Sequence, residues 1–370
     1  METRYLTANI VKDLEKKMVF LGGPRQVGKT TLAKQLLPNK QGYLNWDAAL
    51  HREMILRNKL PIASLWVFDE LHKYRSWRSY LKGLYDLKKK SQKILVTGSA
   101  RLDYYRYGGD SLQGRYFFWR MHPLSVAELK IQSQKDMLEL LQLGGFPEPF
   151  FSSSEIEASR WSREYRNRLI QEDLLGIELV KDVGNLELLM LRLPDLVGSP
   201  LSINALREDL QVNHQTVERW VSILERTYAV FRIPSFGASL IRAIKKEQKH
   251  YHYDWSLVRE KGLRFENMIA CHLQKWVHYQ QDSAGKDLEL RYFRDVDKRE
   301  IDFIIVEKGK PLQAIECKWK ESELNPTLFY FKKRFPDCEV LQIQAVPGKT
   351  FISPEGIRNM SALEFLQTLI

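Results

Sequence analysis

Near the amino terminus, an apolar run, a glycine-bounded loop and a helical stretch follow one another, and this order restricts the fold more than any other feature. Residues 18–21 are apolar, the loop from Gly23 to Thr30 reads Gly-Pro-Arg-Gln-Val-Gly-Lys-Thr, and residues 31–37 have helical character. Strand, loop and helix in this order are typical of a P-loop, whose backbone N–H groups cradle phosphates at a helix N-terminus. The sequence therefore predicts a nucleoside triphosphate site formed by Gly23, Pro24, Arg25, Gln26, Val27, Gly28, Lys29, Thr30 and Thr31, in which Lys29 is also catalytic and Thr30 also binds Mg²⁺.

Length, cysteine content and charge narrow the class of protein. The chain has 370 residues, enough for roughly two to four domains, and its three cysteines show neither a paired spacing nor a disulfide framework. We therefore expect a cytoplasmic protein, and because no apolar run is long enough to cross a membrane we expect no membrane partner.

The net charge of +11 favours an acidic partner such as DNA. Residues 1–180 hold 29 Lys and Arg against 20 Asp and Glu, so most of the surplus belongs to the amino-terminal half.

A second apolar run ends in two carboxylates that suit a nucleotide site. Residues 62–68 lead directly into Asp69 and Glu70, which is the pattern of a Walker B motif. A carboxylate at the end of a strand holds Mg²⁺, and the next carboxylate polarises the attacking water. Asp69 is therefore predicted to be a metal ligand together with Thr30, and Glu70 is predicted to be catalytic.

A third run and a nearby arginine supply further candidates for the same site. Residues 93–96 are followed by hydroxyl side chains where such folds place a polar sensor for the γ-phosphate, and Thr97 and Ser99 fit that role equally well. Arg115 begins another apolar run beside this site. It fits either an arginine finger that stabilises the transferred phosphoryl group or a surface residue at the start of a strand.

The alternation of strand-like and helix-like segments predicts an α/β core. Helical patterns separate most of the apolar runs, as in folds with a parallel sheet between helices. We expect a five-stranded, mostly parallel sheet formed by residues 18–21, 43–47, 62–68, 93–99 and 115–121.

With these motifs, the chain resembles the AAA-plus ATPases of bacteria and archaea that carry an uncharacterised C-terminal domain. The resemblance implies ATP and Mg²⁺ as cofactors and ATP hydrolysis as the activity. In related ATPases a Gly-x-Pro element of the lid lies against the nucleotide base, which makes Pro147 a nucleotide contact by resemblance, whereas the sequence alone shows a turn between two helices. The stretches that carry the resemblance are residues 20–33, 94–101, 112–115, 121–125, 144–148 and 264–267.

The middle of the chain predicts helices followed by two strands. Residues 155–180 form an amphipathic stretch that we assign to a helical lid, and residues 201–225 predict a helix-turn-helix. Residues 228–234 and 249–253 predict the strands of a wing, with a basic tip at residues 242–249. The module is near neutral, so DNA contact and a purely structural role stay equally open. In a DNA-binding module the second helix would present His214, Gln215, Glu218, Arg219 and Ser222.

The last part of the chain contains a pattern of carboxylates and lysine on predicted strands. Asp302 lies on one apolar strand, and Glu316 and Lys318 lie on the next, with Glu266 on a preceding helix. This resembles the PD-(D/E)xK nuclease constellation, although Ile301 replaces the usual proline. The resemblance implies a restriction-endonuclease-like domain in which Glu266, Asp302 and Glu316 bind Mg²⁺ and Lys318 is catalytic. An active nuclease and a retained binding scaffold both fit the sequence.

Together these observations predict an α/β protein of four parts. They are a P-loop AAA-plus core (1–130), a helical lid (131–182), a winged helix (183–254) and a PD-(D/E)xK-like α/β domain (255–370). The expected function is an ATP-regulated ATPase that acts on or binds DNA, and oligomerisation fits an arginine finger in trans. The alternative is a signalling-type nucleotide switch with an inactive nuclease-like domain and a protein partner.

Overall fold

A computed structural model of the chain describes residues 4–89, 91–98, 112–174, 182–237 and 248–370. Its internal contacts divide the chain into two units. The amino-terminal unit consists of Met1–His122 together with Arg226–Tyr228. The carboxy-terminal unit consists of Pro123–Glu225 together with Ala229–Ile370. No helix in the described ranges is long and apolar enough to cross a membrane.

A parallel sheet forms the centre of the amino-terminal unit and confirms the predicted α/β core. Its five strands are β1 (Met18–Gly22), β2 (Tyr43–Asn45), β3 (Leu65–Asp69), β4 (Lys93–Thr97) and β5 (Tyr116–Arg120). They lie in the order β2-β3-β4-β1-β5, and every neighbouring pair is parallel. Because parallel strands end at the same edge of a sheet, the polar residues that follow β1, β3 and β4 come together there.

Helices of the amino-terminal unit cover this sheet. Those described are α1 (Thr7–Leu14), α2 (Lys29–Gln35), α3 (Ala49–Leu56) and α4 (Trp77–Leu87). Trp77 and Leu81 of α4 are buried in the core with Phe20 of β1, whose ring stacks on Tyr116 at a centroid distance of 4.3 Å. The predicted third strand begins later than expected: Ile62 is 98% exposed, and pairing of β3 with β4 begins at Leu65.

The first half of the carboxy-terminal unit is helical. Its described helices, the last of which ends in Arg226 of the other unit, are α5 (Gln134–Leu143), α6 (Pro147–Ser152), α7 (Glu155–Arg168), α8 (Val183–Arg192), α9 (Ile203–Leu210) and α10 (His214–Arg226). The predicted helical stretch is helical over its described part, since a π-helical turn, Leu169–Leu174, continues α7 directly. The N-terminus of α9 is capped by Ser202, whose hydroxyl accepts the N–H of Ala205.

Two sheets complete the carboxy-terminal unit. Strands β6 (Val230–Ile233) and β7 (Lys249–His252) pair in antiparallel fashion. A mixed six-stranded sheet has the order β12-β13-β11-β10-β9-β8. Its strands are β8 (Leu288–Arg294), β9 (Glu300–Glu307), β10 (Lys310–Lys318), β11 (Glu339–Gln344), β12 (Phe351–Ile352) and β13 (Ile357–Ser361), and its helices are α11 (Lys261–Ala284), α12 (Pro326–Arg334) and α13 (Ala362–Gln367).

Helix α11 contacts both the segment before the helical half and the six-stranded sheet, and its residues 265–273 are all buried. Its Lys275 forms a buried ion pair with Glu128, with 2.6 Å between Nζ and Oε2, and also donates to the Ser125 hydroxyl. The imidazole of His272 accepts the N–H of Val126. Residues that precede the helical half therefore pack against the helix that supports the six-stranded sheet.

Candidate functional site

The P-loop is shaped by two glycines with positive φ. At Gly23, φ is +137°, and a Cβ there would lie 2.3 Å from the carbonyl oxygen of Met121. Gly28 precedes α2 with φ of +104°. Side chains are strongly disfavoured at both positions, so the sequence pattern reflects a steric requirement of this turn.

Lys29 lies inside the loop that it closes. The residue is buried, and its ammonium donates to the carbonyl oxygens of Gly23 and Pro24 at 2.8 and 2.5 Å. These carbonyls hold the charge next to the backbone N–H groups of the loop. An ammonium in this position can exchange them for phosphate oxygens without leaving the loop.

An arginine from the start of the chain braces the loop. The Arg4 guanidinium donates to the carbonyl oxygen of Val27 at 2.5 Å and to that of His122 at 2.7 Å. Tyr5 adds a bond from its hydroxyl to the carbonyl of Arg120. Sequence reasoning missed this brace, since no local pattern links residue 4 to the P-loop.

Asp69 is the centre of the hydrogen bonds at the sheet edge. Its Oδ2 accepts from the Thr30 hydroxyl at 2.9 Å and from the Tyr43 hydroxyl at 2.6 Å. Its Oδ1 accepts from the Thr97 hydroxyl at 2.5 Å. Burial, followed by the bond to Asp69, raises the pKa of Tyr43, so this phenol stays a donor. The structure therefore brings together the P-loop hydroxyl and the Walker B carboxylate.

The donor set around Asp69 suits a magnesium ion. Mg²⁺ prefers oxygen ligands and usually takes one or two carboxylates together with substrate phosphates and water. Thr30 and Asp69 supply a hydroxyl and a carboxylate at one point beside the P-loop. Thr97, one of the two predicted sensor residues, donates its hydroxyl to Asp69. Ser99 lies outside the described residues.

Glu70 follows Asp69 in an unusual backbone conformation. Its φ of +57° is in the left-handed region, and its N–H donates to the carbonyl of Thr97. Burial raises the pKa of the carboxyl, although the ammonium of Lys73, 3.4 Å away, opposes the shift. The carboxylate of Glu70 is thus partly buried, with 23% of its side chain exposed, and it directly follows Asp69.

Two other predicted residues lie in different surroundings. The Arg115 guanidinium donates to both carboxylate oxygens of Asp86, at 2.9 and 3.1 Å, in an exposed pair. Pro147 is the first residue of α6 in the carboxy-terminal unit. Their roles as arginine finger and base contact stay predictions. The remaining loop residues, Arg25, Gln26 and Thr31, occupy the loop and the first turn of α2 as expected.

The carboxy-terminal unit brings its predicted carboxylates and lysine together. Asp302 Oδ2 accepts the N–H of Cys317 at 2.9 Å across β9 and β10. Lys318 donates to Glu316 Oε1 at 2.8 Å. Burial and then the charge of Asp302 raise the pKa values of both Glu266 and Glu316.

Lys249 was predicted both as the first residue of a wing strand and as the last residue of a basic tip. It lies in strand β7, as the first prediction has it, but it is fully buried and not at a tip that could meet phosphates. Its ammonium lies 2.7 Å from Glu300, 3.5 Å from Glu266 and 3.6 Å from Asp302. The reason is tertiary, because all four residues of β7 are buried and the strand shows no polar face. No periodic signal in the sequence marks this lysine as internal.

Three family models match successive parts of the chain. Residues 15–130 match an AAA domain. Residues 134–266 match a domain of unknown function, DUF8612, and residues 261–352 match another, DUF4143. The first match supports an AAA-family, nucleotide-binding ATPase domain in the amino-terminal part of this chain.

Related chains are found in bacteria and archaea. The uncharacterized protein Mb2031c of Mycobacterium bovis and the uncharacterized protein Rv2008c of Mycobacterium tuberculosis are each 24% identical over 327 residues, 84% of this chain and 73% of theirs. The uncharacterized protein MJ1637 of Methanocaldococcus jannaschii is 23% identical over 297 residues, 65% of this chain and 61% of its own. A solved structure of a Thermotoga maritima RuvB variant is 16% identical with a TM-score of 0.31, over 62% of this chain and 89% of that one.

Proposed function

We propose that the amino-terminal unit binds ATP with Mg²⁺ and hydrolyses it. The observation that carries this proposal is the hydrogen bond between the Thr30 hydroxyl and Asp69, which joins the P-loop to the Walker B strand. Next to it lies the buried ammonium of Lys29. A hydroxyl, a carboxylate and an ammonium at one edge of a parallel sheet form the constellation required for phosphoryl transfer.

Each group has a definite task in this proposal. Thr30 and Asp69 hold Mg²⁺, which when bound neutralises charge on the phosphate oxygens. Lys29 exchanges its carbonyl partners for β- and γ-phosphate oxygens. Glu70 orients the attacking water and takes its proton as the new P–O bond forms and the bond between the γ-phosphorus and the ADP oxygen breaks.

Replacing Lys29 tests nucleotide binding. Lys29→Ala removes charge-assisted hydrogen bonds, each worth about 1.5–3 kcal/mol, so ATP affinity is expected to fall by about 10- to 100-fold. Calorimetric titration of the full chain with Mg-ATP measures the change. The control is Lys12→Ala, which removes the same charge from the exposed face of α1. Equal affinities of Lys29→Ala and the control would refute the assignment of the P-loop.

For the carboxy-terminal unit, a DNA-directed role under ATP control is the second candidate. The observation that favours it is the exposed face of α10, which presents His214, Gln215 and Arg219 after the capped helix α9. The two helices α9 and α10, joined by a short turn, support the winged-helix interpretation, and the lid and the nuclease-like domain remain parts of this proposal. Glu218 lies on the same face, within 3.9 Å of His214, and opposes contact with a polyanion. The competing proposal is a nucleotide switch in which this face contacts a protein partner, and the salt-dependence experiment below distinguishes the two.

Salt dependence distinguishes these outcomes. If α10 contacts phosphates, Arg219→Ala is expected to weaken duplex binding and to reduce the slope of log K against log salt by about 1. Fluorescence anisotropy with a labelled duplex at several salt concentrations gives the slope. Arg160→Ala on the exposed face of α7 is the matched control. Identical slopes for both variants and the unmodified chain would exclude α10 as the DNA surface and leave a protein partner.

A further inference from the structure

A single buried ammonium lies among the carboxylates at the centre of the carboxy-terminal unit. Lys249 Nζ is within 3.6 Å of Glu300, Glu266 and Asp302, which come from α11 and β9. Its side chain is 1% exposed, and the ring of Tyr292 lies 5.6 Å from the ammonium. The nearest of the three carboxylates is Glu300, which forms an ion pair with the ammonium at 2.7 Å.

The carboxylates around Lys249 have further partners. Glu266 Oε1 also accepts the Tyr251 hydroxyl at 2.8 Å. Asp302 directs Oδ1 to Lys249 and Oδ2 to the N–H of Cys317. Both predicted ligands thus have hydrogen-bonding or ionic partners of the protein itself.

The third predicted ligand is engaged in the same way. Glu316 Oε1 accepts from Lys318 Nζ at 2.8 Å and from Asn325 Nδ2 at 2.7 Å. In the described ranges, no group of three or more His, Cys, Asp or Glu side chains is arranged to hold a metal ion. The residues present therefore do not fit the divalent ion that the nuclease resemblance implies, because their oxygens are already engaged: Lys249 faces Glu266 and Asp302, and Lys318 and Asn325 donate to Glu316.

We propose that Lys249 is the resident cation of this carboxylate cluster, which consists of Glu266, Glu300 and Asp302, and that it takes the place of a divalent metal. A divalent ion bound to Asp302 Oδ1 would lie close to the ammonium and would be repelled by it. Mg²⁺ in addition demands near-octahedral oxygen ligands at about 2.0–2.1 Å, and the ammonium obstructs such a shell. The cluster then serves to tie β7, α11 and β9 together as a metal-free ion network.

The proposal predicts a metal site that a single substitution creates. Lys249→Ala removes the cation and leaves three carboxylates around a space that the lysine stem had filled. Oxygen-rich, negatively charged cavities of this kind attract divalent cations. The variant is therefore expected to bind about one Mn²⁺ per chain more than the unmodified protein, and Lys249→Ala/Asp302→Asn is expected to lose that ion again.

The experiment counts Mn²⁺ bound to the full chain without nucleotide, by electron paramagnetic resonance of the free ion. The unmodified protein and Glu316→Gln are expected to bind equal amounts, since any ion held by the amino-terminal unit is common to both. Lys310→Ala, which removes an exposed lysine at the start of β10, is the matched control and is expected to gain no ion.

Two results would overturn the proposal. One is an ion bound by the unmodified protein and lost in Glu316→Gln or Asp302→Asn. The other is a folded Lys249→Ala chain, judged by circular dichroism, that gains no Mn²⁺. If Lys249→Ala does not fold, Lys249→Met shows whether folding requires the charge or the volume of the lysine. Methionine keeps most of the length of the side chain, and this variant is expected to bind no extra ion. The comparison of the unmodified protein with Glu316→Gln decides the proposal in that case.

Discussion

Glu70→Gln is expected to reduce ATP turnover by about 100- to 10,000-fold while ATP still binds, because a positioned general base contributes a factor of that size. Glutamine keeps the length of the side chain and its contact with Lys73, but it cannot take a proton from water. The backbone at residue 70 is left-handed, and its N–H donates to the carbonyl of Thr97, a bond in which the side chain takes no part. The substitution therefore leaves the geometry of Asp69 in place. Phosphate release under saturating Mg-ATP measures turnover, and calorimetric titration measures affinity.

The control for Glu70 is Glu53→Gln, which removes an exposed carboxylate on α3 that pairs with Arg57. Its turnover is expected to equal that of the unmodified chain. If Glu70→Gln retained more than about a tenth of normal turnover, Glu70 would not be the base. If it lost affinity to the same extent as Lys29→Ala, its effect would be structural.

The carboxy-terminal unit is expected to lose stability steeply as the pH falls below about 5. Burial lowers the pKa values of His250 and His272 to about 4 and that of His252 to about 3. The geometry at His272 agrees, because its Nδ1–H donates to Met268 O and its Nε2 accepts the N–H of Val126, which only a neutral ring can do. Unfolding exposes all three imidazoles to water.

The direction of the effect follows from proton uptake. Between the ordinary histidine pKa of 6.5 and the lowered values, the unfolded chain binds protons that the folded chain does not. The stabilisation is complete above pH 6.5 and is lost as the pH falls towards 4, at about 1.4 kcal/mol per pH unit for each histidine. Glu266 and Glu316 oppose the loss above pH 4.5, because their raised pKa values make the folded state take up protons there. The steep limb therefore lies below pH 5.

Thermal unfolding followed between pH 7 and pH 3.5 checks this expectation. With three histidines acting together, the melting temperature of the carboxy-terminal unit is expected to fall by roughly 10 °C per pH unit in the steep limb. His272→Gln offers an amide donor and acceptor without titrating, so it is expected to remove about a third of that slope. His214→Gln, at the exposed start of α10, is the control and is expected to leave the limb unchanged. A flat melting temperature down to pH 4 would contradict the prediction.

Much of the amino-terminal unit followed from local patterns. The sequence predicted the P-loop pattern, the apolar run that ends in Asp69 and Glu70, and the five strands. Each of these is a short segment, and the spacing of residues within that segment is enough to predict it. Ile62 shows the limit of such patterns, since it is apolar and yet 98% exposed. Strand ends depend on which neighbour is available for pairing, and the sequence of one strand does not contain that information.

The partners of the candidate residues were much less predictable. Tyr43 was assigned only to a strand, and its bond to Asp69 arises because β2 lies beside β3. Arg4 reaches the P-loop across more than 20 residues of sequence. Lys249 was assigned both to the start of a strand and to the end of a basic tip, and neither assignment predicted its burial among carboxylates. Contacts between distant segments are set by packing, for which a single sequence holds no periodic signal.

The sequence by itself determined that this chain carries a glycine-bounded loop of the P-loop pattern on an α/β core, because the spacing of its glycine, lysine and hydroxyl residues is local to one short segment. It also singled out Glu266, Asp302, Glu316 and Lys318 in the carboxy-terminal unit. Only the tertiary structure decided how those charges are balanced. It placed the ammonium of Lys249 among carboxylates from two other elements, and the energy of a charge depends on which opposite charges surround it and on the water that burial removes.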